Sequence, residues 1–311
     1  QGSHGEWAAR TAGTWANGIK VEICAESTTY EQDLSSNNLV NTSTSAVGDT
    51  SIVVDDADAS GYAFNVGDLI SFYSDTSNTV AVDDFNEYQV TAINTSTNAL
   101  TIRLKDDPNG AGLQTAIPDD SKIKRRWKYA DLFSGPPGTS VYNTNNSRGS
   151  NDELHVVVAD GTGDITGFDT DSAGNRTSAV IETFGFMSKN SSAKSPQGDS
   201  IYYADVIFRK SEFIYWTDHI SAGSNWGSDT TTTYTEVIPT TIDTLTGGTD
   251  DYATTAGEIE LAYDKFKNAE SEDINLVIGG SSSIVADTAA AQDTHVTMLV
   301  NLVEGRKDCV A

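Results

Sequence analysis

The 311-residue chain holds 4 histidines, 2 cysteines and 45 acidic residues, so carboxylates, hydroxyls and a few rings must supply any chemistry. Asp56-Ala57-Asp58-Ala59-Ser60-Gly61 places oxygens and a glycine in the order of the first half of a calcium loop. The closing bidentate Glu is missing: Gly67 stands at its place and Asp68 comes one residue late. The flanks alternate like strands, so an acidic solvated loop is expected here. Gly161-x-Gly163 follows a strand but lacks a third glycine and a helix to present amides to a pyrophosphate, and it reads as a hairpin turn. Gly279-Gly280-Ser281-Ser282-Ser283 sits between strand and helix without the lysine of a phosphate loop, and it reads as a helix cap. His4, His155, His219 and His295 have no Cys or His at ligand spacing, although His219 follows Asp218 beside Trp216. No catalytic residue, cofactor site or metal site is expected, and the protein reads as a non-enzyme. The sharpest local signal is electrostatic. Lys122, Lys124, Arg126 and Lys128 alternate, and at strand period they share one face. They form a candidate intersubunit basic patch.

The balance of the chain narrows the class. Lys and Arg number 19, for a net charge of -26. That excess disfavours nucleic acid, whose phosphates need clustered cations, and anionic membrane surfaces. No run approaches the length of a membrane-spanning helix, and no basic-then-apolar secretion signal is visible. Gln1-Gly2-Ser3-His4 reads as the remnant of a tag. Cys24 and Cys309 lie in apolar surroundings and read as buried free thiols.

These residues need elements to carry them. Ile19, Val21 and Ile23 alternate as in a strand, and the polar stretch Ser35–Ser45 reads as a linker. Between Ser45 and Asp120 there are thirteen acids, two bases and short alternating segments at Ser51–Val54, Leu69–Tyr73, Glu87–Ile93 and Ala99–Lys105. Tyr88, Val90 and Ala92 should share one face, as should Leu100, Ile102 and Leu104. With Lys122–Trp127 these strands suit a small antiparallel barrel over 45–130, inserted into a host domain. Glu153–Ala159, Val180–Met187 and Glu212–Trp216 continue the host, Tyr202–Arg209 fits a helix or a strand, and the Thr-rich 221–255 reads as a surface loop or edge hairpin. Thr255-x-x-Glu258 is a capping box ahead of Ile259, Ala262, Tyr263 and Phe266 at helical spacing. Ile274–Ile278 reads as a strand, and Val296, Leu299, Val300 and Val303 as the apolar stripe of a second helix. The expected fold is α+β: a small antiparallel β-barrel inserted in a mixed α/β sandwich (1–44 plus 131–285, barrel 45–130). Residues 286–311 are expected to begin an α/β core, so the chain reads as a fragment of something longer.

Four segments carry a resemblance. Arg10-Thr11-Ala12-Gly13-Thr14-Trp15-Ala16-Asn17-Gly18-Ile19-Lys20-Val21 is similar to a Gly-x-Trp-Gly-Asn-x-Ile/Leu-Lys-Val signature, with Ala16 where glycine is usual. Asp152–Val158 with the hairpin to Ile165-Thr166-Gly167, Tyr202–Ile207 with Ser211–Trp216, and Asn301–Ala311 follow in order. Together they resemble the contractile tail sheath proteins of T-even-like bacteriophages, particularly those of marine cyanophages. The likeness covers the first forty residues and most of 131–311.

The resemblance implies a structural virion subunit that polymerises as stacked six-fold rings around the tail tube. On a baseplate trigger these would contract and drive the tube through the host envelope. The implied partners are further copies of the chain, the tube and the baseplate, with no nucleic acid and no direct membrane insertion. The full-length form would be a helical homo-oligomer assembled in the bacterial cytoplasm, and this fragment alone a monomer. Other classes fit parts of the sequence: a virion-surface or secreted carbohydrate-binding adhesion module using the barrel and Thr-rich loops, and a calcium-stabilised hydrolase using Asp56–Gly61.

Overall fold

The valine-rich run Glu153–Asp160 has apolar residues on both faces, which suits a strand flanked and covered on both sides. In the computed structural model it lies between two other strands at the centre of the larger core. The structure describes residues 5–34, 37–42, 45–75, 79–105, 107, 109–167, 169–170, 176–238, 240–250, 255–280 and 289–311. In chain order the strands are β1 (Trp7–Ala9), β2 (Ile19–Cys24), β3 (Glu31–Asp33), β4 (Ser51–Val53), β5 (Leu69–Tyr73), β6 (Tyr88–Asn94) and β7 (Ala99–Leu104). They continue with β8 (Lys122–Arg126), β9 (Glu153–Asp160), β10 (Asp169–Thr170), β11 (Arg176–Thr177), β12 (Ala179–Ser188), β13 (Ile214–Trp216) and β14 (Thr241–Thr244). The helices are α1 (Ser27–Tyr30), α2 (Val141–Asn145), α3 (Tyr203–Lys210), α4 (Ala256–Tyr263) and α5 (Ala289–Arg306). The architecture is mixed α+β, built mainly from antiparallel sheets with few helices. The chain divides into two compact units, residues 1–248 and 249–311.

The first unit contains a four-stranded sheet, β12-β9-β2-β14, and a six-stranded sheet, β3-β8-β5-β6-β7-β4. β2 pairs antiparallel with β9, Val21 opposite Val158 and Ile23 opposite Val156, and these side chains enter one core with Tyr203, Ile207 and Ile214. The opposite face of β9 buries Val157 against Cys24 and Trp127, the latter just past β8. Val157 and Trp127 therefore join the two sheets. The Thr-rich stretch supplies β14 as an edge strand and anchors itself through buried Trp226, Tyr234 and Val237.

The six-stranded sheet encloses a second core built on Phe72, Tyr88, Val90, Leu100 and Ile102. Among the described residues strand pairing does not close it, and β3 and β4 stand at its two ends. Two details differ from expectation. The described part of the 35–45 stretch is packed rather than loose: Val40 is fully buried, pairs with Val54, and donates its N–H to the Ser121 carbonyl at 3.1 Å. Ala92 does not share a face with Tyr88 and Val90, because the register shifts between Val90 and Ala92. That bulge turns Ala92 outward and brings Ile93 against the core. The polar run 94–98 closes a hairpin in which Asn98 takes φ +50°, a conformation asparagine tolerates.

In the second unit the capping box forms, Thr255 and Glu258 each bonding the other's backbone. Leu276 pairs in parallel with Val310, and Val277 donates to the Val310 carbonyl at 2.8 Å. Val277, Leu302 and Cys309 make a small core with Tyr263, Leu299 and Val303 around it. The buried side of α5 is His295, Met298, Leu302 and Arg306, so Val296 and Val300 of the expected stripe face solvent. Helical spacing admits either face, and the packing of Val277 selects the one a residue earlier. Ser281–Ser283 lie outside the described residues.

Candidate functional site

β8 sits between β3 and β5, with Arg126 opposite Glu31 and Leu69, and Lys124 opposite Asp33 and Ser71. Lys122, Lys124 and Arg126 share its half-exposed face, while Ile123 and Arg125 point into the insert. Lys128 lies beyond the strand and faces the other sheet. The expected cations are therefore neighbours, but each meets an oxygen. Lys122 donates to the Asp120 carbonyl at 2.8 Å, and Lys124 pairs with Glu31 at 2.7 Å. Arg126 grips Glu87 through Nε (2.8 Å) and Nη2 (2.7 Å) and reaches Asp131 through Nη1 at 2.5 Å. Lys105 bridges the same two carboxylates at 3.1 Å each. Burial works to raise the Glu87 carboxyl, but the Arg126 and Lys105 hydrogen bonds override it and hold it below the usual range. The Arg126 hydrogen bond does the same for Asp131.

Lys128 pairs at 2.5 Å with Glu22 of β2, whose side chain is 1% exposed, and lies 4.8 Å from the Tyr129 ring centroid. Trp127 Nε1 donates to the other oxygen of Glu22 at 3.3 Å. Arg125, counted in the sequence only as one more base, is buried. Its guanidinium donates to Gln32 Oε1 at 2.7 Å and to the Ala63 carbonyl. Burial pushes the nearby Asp68 carboxyl up to about 6, against the pull of Arg125. Chemically, the strand fastens the insert to the chain around it: three cations (Lys105, Lys124 and Arg126) meet three anions (Glu31, Glu87 and Asp131) on its surface face, and one ion pair reaches the neighbouring sheet. The partners Glu22, Glu31, Glu87 and Asp131 escaped sequence reasoning because nothing local marks an acid as paired among 45. Arg125 had one signal, its inward phase in the alternation beside Ile123.

The remaining sequence candidates do not converge. Asp56 and Asp58 both face solvent, Asp58 N–H bonds Asp56 Oδ1 at 3.3 Å, and Gly61 takes φ +78°. Among the described residues no group of three or more His, Cys, Asp or Glu is gathered to hold a metal. His155 is buried, stacked 4.2 Å from Phe133, with Nε2 3.0 Å from the Gly135 carbonyl and Nδ1 accepting from Phe186 N–H at 3.0 Å. Those two bonds assign the neutral Nε2–H tautomer. His219 Nδ1 meets Tyr203 Oη at 2.6 Å, while Asp218 accepts from the His219 backbone instead of its ring. His295 Nε2 meets the Gly279 carbonyl at 2.9 Å. Gly161 and Gly163 belong to a turn organised by Asp160, whose carboxylate accepts from Gly163 N–H at 2.7 Å and Thr166 N–H at 2.9 Å. No family model matches this sequence, and no curated protein matches it.

Proposed function

We propose that this chain is the outward-facing part of a bacteriophage contractile tail sheath subunit. One observation carries the reading: four segments resembling that family occur in its order along the chain. It is supported by where three of them pack, since Ile19 and Val21, Leu154, Val156 and Val158, Tyr203 and Ile207, and Ile214 all enter one core, while the fourth belongs to the second unit. The likeness thus follows a packed unit rather than scattered surface positions. In this reading 45–130 is a small barrel; what supports it is that Val40, just ahead of that segment, bridges Val54 on one side and bonds Ser121 on the other. Residues 1–44 with 131–285 form the host sandwich, and 286–311 begin the polymerising core.

Stacked six-fold rings of such subunits surround the tail tube in an extended, metastable packing. A baseplate trigger lets them move as rigid bodies to a second packing with lower intersubunit energy, and the tube is driven through the host envelope. Heterologous, non-closing contacts generate the helical polymer, and no nucleotide or metal enters the cycle. The subunit assembles in the bacterial cytoplasm and resides in the virion. The test is electron microscopy of the full-length gene product with tube and baseplate present. Tubes of regular diameter are expected, with the 311-residue chain remaining monomeric in light scattering. A full-length chain that stays dispersed in that mixture refutes the proposal.

A further inference from the structure

Ile19, Val21 and Ile23 of β2 enter the core, so Lys20 and Glu22, which alternate with them, lie on the other face of the four-stranded sheet. A cleft of about 1080 Å³ runs between that face and the β6–β7 hairpin of the six-stranded sheet, both within the first unit. Its walls invert the charge of the chain. Among the described residues they carry three cations, Lys20, Arg103 and Lys128, and one acid, Glu22, in a protein of 45 acids and 19 bases. Lys128 is taken up by Glu22 at 2.5 Å. Arg103 is steadied by Gln89, whose Oε1 accepts from Nε at 3.1 Å and from Nη2 at 2.5 Å. Lys20 Nζ has neither a hydrogen bond nor an ion pair among the described residues. Its stem is half-buried and passes so close over Gly161 that a Cβ there would stand 2.8 Å from Lys20 Cε. The cleft therefore holds one placed, uncommitted positive charge.

An anion is the complement of that charge, and the other walls say what else it must carry. Thr50, Thr91, Thr101 and Asn109 offer hydroxyls and an amide, groups that both donate and accept. Tyr129 and Ile242, the latter 38% exposed, add apolar surface. Nucleic acids and polyphosphates bring a charge on every unit and meet the net -26 of the chain as repulsion. An acidic loop of a second copy, such as the exposed Asp55, Asp56 and Asp58, answers Lys20 but leaves most of the hydroxyl wall unanswered. A sugar acid fits all three features: one carboxylate per ring, several hydroxyls, and an apolar ring face. The volume stands just past the ~300–1,000 Å³ of ordinary small-ligand sites, which gives room for an oligosaccharide. Strand-borne side chains on both walls lower the ordering cost of binding.

We propose that this cleft binds an acidic saccharide, with a uronate carboxylate at Lys20 and its hydroxyls against the threonines of the β6–β7 hairpin. The test uses the 311-residue chain with glucuronate, trigalacturonate and trimannuronate as probes, read by saturation-transfer NMR and titration calorimetry. Maltotriose serves as the neutral control, and a peptide copying residues 54–61 as the acidic protein control. Saturable binding of at least one uronate is expected, about tenfold or more tighter than maltotriose. Lys20→Gln keeps the stem and removes the charge, and should weaken that binding about tenfold or more. Thr101→Val keeps the shape of an exposed side chain and removes its hydroxyl, and should weaken it about threefold or more. Melting temperatures of both variants should stay within a few degrees of wild type, which separates lost binding from lost folding. Absence of saturable binding for all three uronates overturns the proposal, as does undiminished affinity in Lys20→Gln or equal affinity for maltotriose. A peptide that binds more tightly than every uronate also overturns it and makes a second copy of the chain the occupant.

Discussion

Replacing Asp160 with asparagine should destabilise the first unit in a way that depends on pH. Asp160 ends β9 and is 1% exposed. Its Oδ1 accepts from Thr162 N–H (3.2 Å) and Gly163 N–H (2.7 Å), and its Oδ2 from Ile165 N–H (3.0 Å), Thr166 N–H (2.9 Å) and Thr166 Oγ1 (3.0 Å). Burial opposes ionisation, but the amides of Thr166, Ile165 and Gly163 override it and hold the carboxyl down at about 2, against 3.8 when free. A carboxyl depressed this far is worth ~2.5 kcal/mol at neutral pH, and ~2 after allowance for solvent near the loop. Because the folded value is the lower one, this stability is fully present above pH ~4 and is lost as the pH falls through about 2, roughly half being gone by pH ~3. An asparagine side chain here would offer one acceptor oxygen and point its NH2 group at amides that have nothing else to donate to. All five tryptophans lie at or before residue 226, so their fluorescence in urea titrations reports the first unit alone. At pH 7 Asp160→Asn should cost ~2–3 kcal/mol, and the difference from wild type should shrink by ~1 kcal/mol at pH ~3. A cost below ~0.5 kcal/mol, or one that does not change with pH, refutes the assignment of this turn's stability to an ionised Asp160.

Two further outcomes follow from buried groups. Lys128→Ala leaves Glu22 as a buried carboxylate with Trp127 Nε1 as its remaining donor, and should cost ~2–3 kcal/mol in the same urea titration. Adding Glu22→Gln should recover part of that loss, and strictly additive costs would contradict a direct pair. In a Cys309→Ser background the Cys24 thiol, buried and pushed up to about 12 by that burial, should stay unreactive toward a disulfide reagent in the native state and titrate as one thiol in denaturant. Modification within minutes under native conditions would show that the β2 end opens readily.

Strands with an unbroken apolar pattern were legible without coordinates. Leu100–Ile102–Leu104 stands where its alternation puts it, with one face buried, and Leu69–Tyr73 and the valine run of β9 are buried on both faces, as continuous apolar runs require. The misses share another cause: information that is not local. The bulge after Val90 adds a residue to β6, and only the partner β7 shows that Ala92 has slipped outward. Val40 sits among polar residues, and nothing nearby announces that Val54 and Ser121 will flank it. The basic strand was legible as a strand and as a cluster. Its neutralisation was not, since the acids that meet it lie from five to about a hundred residues away, as Asp131 does from Arg126 and Glu22 from Lys128.

That distribution changes what the acidity means. A net charge of -26 invites the picture of carboxylates spread over a solvated surface, repelling one another and keeping the chain soluble. Several of the acids instead hold the fold together. Glu22 closes the ion pair between the sheets, Glu87 and Asp131 sit between Arg126 and Lys105, and Asp160 organises a turn. Glu26, pushed up to about 7 by burial and the charge of Glu236, lies near Lys189, which burial lowers to about 8. Lys189 is itself fully buried and donates to the carbonyls of Ala25 (2.6 Å) and Asn151 (2.7 Å). A surface that docks by charge would need cations left over. On β8 the positive side chains are committed to carboxylates and carbonyls of their own chain, and contact with an acidic neighbour there would have to displace Glu31, Glu87 or Asp131. Exchange of one ion pair for another is nearly neutral in energy and strongly dependent on salt. Such exchange suits a contact that must rearrange more than one that must hold. A neighbour gripping this strand permanently would have to do so through apolar area beside it.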